Sequence, residues 1–340
     1  MNAKARSAPH QAEDDRRTVL DVRGLSVDFH TPAGRLHAVQ DVSFSVGAGE
    51  TLAVLGESGS GKSVTAQAIM GILDTPPAEI VSGTVELGGQ DLLALPERQR
   101  RAATGSRVSL IFQDALTALN PVQPVAKQIG ELYRLHRGAS RKQAWRQAVE
   151  MMDRVRIPAA AGRAGDYPHQ FSGGMRQRIL IAMALALDPE VVIADEPTTA
   201  LDVTVQAQIL DLLAEQQAER GLALVLITHD LGVAAKMADR ALVMYSGRVV
   251  EHGPIRRLFT APIHPYSQGL VASIPRRSHR GGPLPAISGL PPSLTDRPAG
   301  CRFHPRCSIA REHCESVEPE LLQLDDGRQT RCHFWTEVAS

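Results

Sequence analysis

No cysteine occurs in the first 300 of the 340 residues; all four sit at Cys301, Cys307, Cys314 and Cys332. Net charge is missing too, since 37 Lys and Arg balance 37 Asp and Glu. That balance argues against a dedicated nucleic-acid binder, which carries a basic excess, and no nucleic-acid partner is expected. Long hydrophobic runs are also lacking. The longest, Ile179 to Leu187, is about half the ~20 residues of a spanning helix, so no transmembrane segment is expected. The opening stretch MNAKARSAPHQAEDDRR has no apolar core of the kind a secretory leader needs. Residues 1–17 therefore read as a disordered lead-in. Without an export signal the expected compartment is the reducing cytosol, where structural disulfides are disfavoured.

What is present has a clear order. Residues 20–60 alternate apolar and polar positions as strands do, ending in TLAVLGE and a glycine-rich turn. Residues 62–73 read as a helix. From about 115 to 170 the spacing is helical, with Ser140 placed to cap SRKQAWRQAVEMMDRV. From 172 helices alternate with the buried strands VVIAD and LALVLIT, the pattern of α/β units on a largely parallel sheet. SGRVVEHG reads as a short strand pair. From about 261 proline and glycine become frequent and periodicity fades, which predicts a boundary near 260 and an appended segment over 261–340.

Two stretches carry phosphate chemistry. GESGSGKS comprises Gly56, Glu57, Ser58, Gly59, Ser60, Gly61, Lys62 and Ser63, with Val64 continuing into a helix. It fits G-x-x-x-x-G-K-[ST] after an apolar strand. Its backbone N–H groups are suited to phosphate oxygens, Lys62 to the β/γ-phosphates, and the Ser63 hydroxyl to Mg²⁺. VVIADEP puts Asp195 and Glu196 at the end of an apolar strand, where α/β sheets bind ligands. Asp195 is placed to hold Mg²⁺ and Glu196 to polarise an attacking water. Together they predict a nucleotide hydrolase. No N-K-x-D base-reading motif of a GTPase is present.

FSGGMRQR, Phe171 to Arg178, makes the reading finer. With it the chain resembles the ATP-binding-cassette (ABC) ATPases, whose signature is close to L-S-G-G-Q. The resemblance runs in order over residues 20–255. It implies an α/β cassette with an antiparallel β subdomain and an α-helical subdomain at about 114–170, within a nucleotide-binding domain of 18–260. It implies that Phe29 stacks on adenine, that Gln113 senses Mg²⁺, and that TALD, ending at Asp202, is the loop facing a second cassette. It further implies that Ser172, Gly173, Gly174 and Met175 meet the nucleotide of that partner, head to tail. His229 would join Glu196 and Lys62 in catalysis. Met175 departs from the common Gln, and a thioether donates no hydrogen bond.

The flanks narrow the branch. HPYSQGLVASIP, GLPPSL and GCRFHPRC resemble the C-terminal extension of ATP-binding subunits of dipeptide and oligopeptide importers, which nickel importers share. The resemblance implies pairing with a second, similar ATPase as a heterodimer. It also implies docking on two permease subunits at the cytoplasmic face of the inner membrane, and service to an extracytoplasmic binding protein. A soluble cassette ATPase acting on ribosomes or DNA is the alternative. Such proteins usually carry fused cassettes or long coiled-coil inserts, and neither is present.

The cysteines follow C-x5-C-x6-C-x17-C. Structural zinc usually brings close C-x2–4-C pairs, which are missing. A cluster needs four converging thiolates with freer spacing. Four unrelated buried thiols also remain possible on spacing alone. Family resemblance favours a 4Fe–4S cluster over Zn²⁺. His304, His313 and His333 leave a mixed ligand set open, and Arg302, Arg306 and Arg311 are candidates to offset its negative charge.

Overall fold

A computed structural model describes residues 16–32, 34–199, 201–274 and 286–339. Of the predicted lead-in 1–17, all but the last two residues lie outside these ranges, as does Ala200 of the TALD stretch. The apolar alternation at the start builds a long antiparallel hairpin, β1 (Thr18–Thr31) and β2 (Gly34–Gly47), with Val22 opposite Phe44 and Val27 opposite Val39. The strand β3 (Thr51–Leu55) leaves this sheet, and β4 (Ala78–Leu87) and β5 (Gln90–Asp91) complete it in the order β2-β1-β4-β5. One face of the sheet buries Val22, Val27, Val46 and Val85 in a core shared with Leu52, Val54 and Ile69.

The second sheet runs β11-β12-β10-β9-β3-β8-β7-β6. Its parallel centre is β6 (Val108–Ile111), β7 (Val191–Asp195), β8 (Ala223–Thr228), β3 and β9 (Arg240–Tyr245). Every residue of β3, β7 and β8 is buried, because elements cover both faces. The strand β3 lies between β8 and β9, so the C-terminal ends of β3, β7 and β8 open at one edge, where such sheets bind ligands. A tight turn at Ser246 and Gly247, both at positive φ, reverses the chain into the antiparallel β10 (Arg248–Pro254).

The predicted helical insert contains the helices Val125–Arg137 and Arg141–Arg154, which pack with Gly173–Leu185 around Ile129, Met152 and Ile181. Ser140 caps the second as expected. Its hydroxyl accepts from the Gln143 N–H at 3.3 Å, and the Gln143 side chain accepts from the Ser140 N–H at 3.0 Å. Gly221, at φ 64°, ends the helix Val203–Arg220.

Residues 261–340, expected as an appended segment, join the sheet and core of the cassette. The strands β11 (Leu322–Gln323) and β12 (Gln329–Thr330) extend the main sheet, with Thr330 opposite Glu251 of β10. Tyr266 and Phe303 share a core with Leu55, Val243 and Tyr245, the Tyr245–Tyr266 ring centroids being 4.7 Å apart. The segment has too few apolar residues for its own core and buries them on the cassette instead.

Candidate functional site

Strand β3 delivers the chain into the loop 56–61 and then into the helix Lys62–Met70. Gly56 sits at φ 151°, and a Cβ there would collide with the Met244 carbonyl, so only glycine passes. Lys62 is buried; its Nζ donates to the carbonyls of Gly56 at 2.8 Å and Glu57 at 2.9 Å. Burial lowers its pKa, against the opposing pull of Glu196, Asp195 and Glu57. Beside it, the Ser63 hydroxyl bonds the Asp195 carboxylate at the end of β7. Burial raises the Asp195 pKa, and its Oδ1 has no hydrogen-bond partner. A buried carboxylate oxygen left open beside a serine hydroxyl next to a phosphate loop fits the oxygen-ligand chemistry of Mg²⁺.

Glu196 follows at φ 46°, a left-handed conformation that turns its side chain across the edge. Three donors converge on it. Gln113 Nε2 reaches Oε2 at 3.0 Å, Thr199 Oγ1 reaches Oε2 at 2.9 Å, and His229 Nδ1 lies 3.0 Å from Oε1. Burial pushes its pKa up, but the His229 and Thr199 hydrogen bonds outweigh that and hold it low. Glu196 is therefore a carboxylate at neutral pH. The His229 ring is 61% exposed, open to whatever binds over the edge.

The other expected residues lie on other elements of the fold. Phe29 is half-buried in β1 opposite Leu36 and Ala78. Ser172 caps the helix Gly173–Leu185, and Ser172 and Gly173 are exposed. No hydrogen bond among the described residues joins 172–175 to the loop 56–63 of the same chain. Met175 turns inward, its sulfur 3.3 Å from Arg163 Nη1. The Asp202 carboxylate caps Val203–Arg220 by accepting from the Thr204 and Val205 N–H groups. Gln113 meets Glu196 rather than the Ser63–Asp195 pair.

The thiols of Cys301, Cys307, Cys314 and Cys332 line one cavity of about 10 Å³, with His264, His304, His333, Phe303 and Phe334. Burial, then the neighbouring thiols, pushes Cys301 and Cys332 up to about 11. Among the described residues, no group of three or more His, Cys, Asp or Glu is arranged to hold a metal ion. The three arginines expected to offset a cluster's charge have other partners. Arg302 pairs with Glu318 at 3.2 Å, Arg306 with Glu57 at 2.7 Å and Arg311 with Glu337 at 2.6 Å. His304 and His333 border the cavity, whereas His313 packs on the His333 ring at 4.5 Å.

The sequence reading missed two contacts. Tyr266 and Arg306, both from the C-terminal segment, touch the phosphate loop at Glu57. The signal was slight: a charged Glu inside the loop needs a partner.

Solved structures define the class. An ATP-binding cassette captured as a dimer in a post-hydrolysis state with ADP and Pi is 26% identical, with a TM-score of 0.63, over 70% of this chain and 99% of that one. A cassette of an ABC transporter complex from Clostridium perfringens gives 26% and 0.60, over 71% and 90%. The fold and its nucleotide edge are those of an ABC-type ATPase.

Sequence comparison places the chain within that class. Residues 39–199 match the family model "ABC transporter", and residues 250–314 match "Oligopeptide/dipeptide transporter, C-terminal region". The Salmonella typhimurium oligopeptide transport ATP-binding protein OppD is 48% identical, over 95% of both chains. A Brucella melitensis protein provisionally named a peptide import ATP-binding protein is 48% identical, over 96% of this chain and 99% of its own. The chain belongs to the ABC transporter family, as a member that carries the oligopeptide/dipeptide transporter C-terminal region.

Proposed function

We propose that the chain is the ATP-hydrolysing subunit of a peptide importer. The observation that carries this is the joining, in one chain, of the nucleotide edge to an extension matching the oligopeptide/dipeptide region. Lys62 and the loop N–H groups bind the β/γ-phosphates. Asp195 and Ser63 hold Mg²⁺, which when bound neutralises charge developing on the phosphates. Glu196, kept ionised by His229, Thr199 and Gln113, accepts a hydrogen bond from the attacking water and aligns it. His229 also donates toward the γ-phosphate. Phe29 stacks on adenine. Ser172 and Gly173, exposed at a helix N-terminus, and Gly174 beside them face the nucleotide of a second ATPase subunit, with Asp202 at the same junction.

Among the described residues, no helix is long and apolar enough to cross a membrane. On the likeness to peptide import ATP-binding proteins, the subunit works at the cytoplasmic face, docked on two permeases that receive substrate from an extracytoplasmic binding protein. Purifying the whole complex and measuring its ATPase tests this. Stimulation by peptides supports the reading, and stimulation by nickel chelates alone moves it to the nickel branch. Recovery with ribosomes and without permeases overturns it.

We further propose that the four thiols hold a 4Fe–4S cluster. What supports it is their meeting at one cavity. Zn²⁺ on the same thiols, with Zn–S bonds of ~2.3 Å, is the alternative. A cluster, which supplies an electron-carrying or structural anchor when bound, takes wider-set thiolates. Anaerobic purification tests it: bound iron with absorbance near 400 nm supports the cluster, and a colourless protein with stoichiometric zinc refutes it.

A further inference from the structure

Glu57 places a carboxylate inside a loop that must receive a highly charged anion. That charge alone would repel a triphosphate. The structure answers it from the C-terminal segment. Arg306 Nη1 and Nη2 donate to the two Glu57 carboxylate oxygens at 2.7 and 3.0 Å, the two-pronged geometry that makes arginine pairs strong. The Arg306 side chain is only 5% exposed. Its Nε donates to the Ser288 carbonyl at 3.0 Å, and its guanidinium lies 5.8 Å from the Tyr245 ring centre. The same loop residue is held on two further sides. The Glu57 N–H donates to the Tyr266 hydroxyl at 2.9 Å, and the Glu57 carbonyl accepts from Lys62 Nζ at 2.9 Å.

We propose that Arg306 and Tyr266 are positioning residues of the nucleotide loop. Arg306 cancels the Glu57 charge and holds that side chain on the extension. Tyr266 fixes the Glu57 peptide, and the extension thereby sets the affinity for ATP. This rests on reading residues 56–63 as the ATP site. The turn bearing Arg306, His304–Arg306, lies between Cys301 and Cys307, so the thiol cavity and the phosphate loop share one short piece of backbone.

The test uses the full-length chain for binding of a fluorescent ATP analogue, and its complex with the second ATPase and the permeases for steady-state hydrolysis. Arg306→Ala is expected to weaken analogue binding and raise KM about tenfold, equivalent to ~1.4 kcal/mol, with kcat within about twofold. Adding Glu57→Gln to Arg306→Ala removes the unpaired charge and is expected to restore affinity to within about threefold of wild type. Tyr266→Phe deletes one oxygen from a packed ring and is expected to raise KM about threefold, with the melting temperature little changed. Wild-type KM in Arg306→Ala or Tyr266→Phe overturns the proposal. A double variant as weak as Arg306→Ala overturns the charge argument, as a merely structural arginine would. A wild-type chain that fails to bind the analogue refutes the ATP-site reading itself, not the clasp.

Discussion

Acid should weaken the seat of the C-terminal segment through His264, and the size of the effect follows from its surroundings. This ring is fully buried and caps the helix Pro265–Ala272, its Nδ1 accepting from the Tyr266 N–H at 3.1 Å. A backbone bond at Arg331 engages the ring as well. Burial lowers its pKa from 6.5 to about 3, so the folded chain keeps it neutral where the unfolded chain is protonated. Stability from the neutral ring is complete above pH 6.5 and is lost as pH falls toward 3. One proton costs 1.36 kcal/mol per pH unit, hence about 2 kcal/mol between pH 6.5 and 5. His252, buried and lowered to about 4, adds a loss of the same sign. Glu251, buried and raised to about 7, opposes both, because its folded form gains a proton as pH falls from 7 toward 4.5. A difference against His264→Asn isolates the one residue. Asn keeps an acceptor near the Tyr266 N–H and cannot titrate. Its stability deficit, measured by urea unfolding with circular dichroism, should shrink by about 2 kcal/mol on going from pH 8 to pH 5. A deficit that stays constant across that range would refute the reasoning.

Three further outcomes are expected. Glu196→Gln should cut phosphate release at least hundredfold, on the order of a lost water-activating group, while ATP binding persists in an equilibrium assay. Gly174→Ala would bring a Cβ to 2.6 Å from Val205 Cγ1; a loss of about 1–3 kcal/mol in thermal unfolding is expected, relieved by a second change, Val205→Ala. Ser140→Ala removes the capping box of Arg141–Arg154 and should cost ~1 kcal/mol in unfolding while leaving ATPase activity unchanged.

The nucleotide edge was legible because its chemistry is local. Loop 56–63, Asp195–Glu196 and His229 each sit within a few residues of a strand end, so strand pattern and motif locate them together. The short strands were not legible: β5, β11 and β12 have two residues each, too few for a period to appear. Arg306 misled for a related reason. It lies next to Cys307, which suggested a role at the thiols, yet a long side chain reaches past its neighbours to Glu57. Asp202 and Met175 were read from their place in a motif series, and the helix cap of the one and the packing of the other left no separate mark in the sequence. The extension looked independent because its sequence lacks periodicity, and that same lack sends its aromatic side chains into the cassette.

The clasp on Glu57 also orders events in time. Glu57 and Arg306 are separated by 249 residues. At the ~5–20 residues per second of ribosomal synthesis, the arginine follows the glutamate by roughly 12 to 50 seconds. Throughout that interval the nascent cassette carries its phosphate loop with an unanswered negative charge. A half-made chain is thus a poor ATP binder by construction, and full affinity arrives only when the extension over residues 261–340 has been made and folded back onto the phosphate loop.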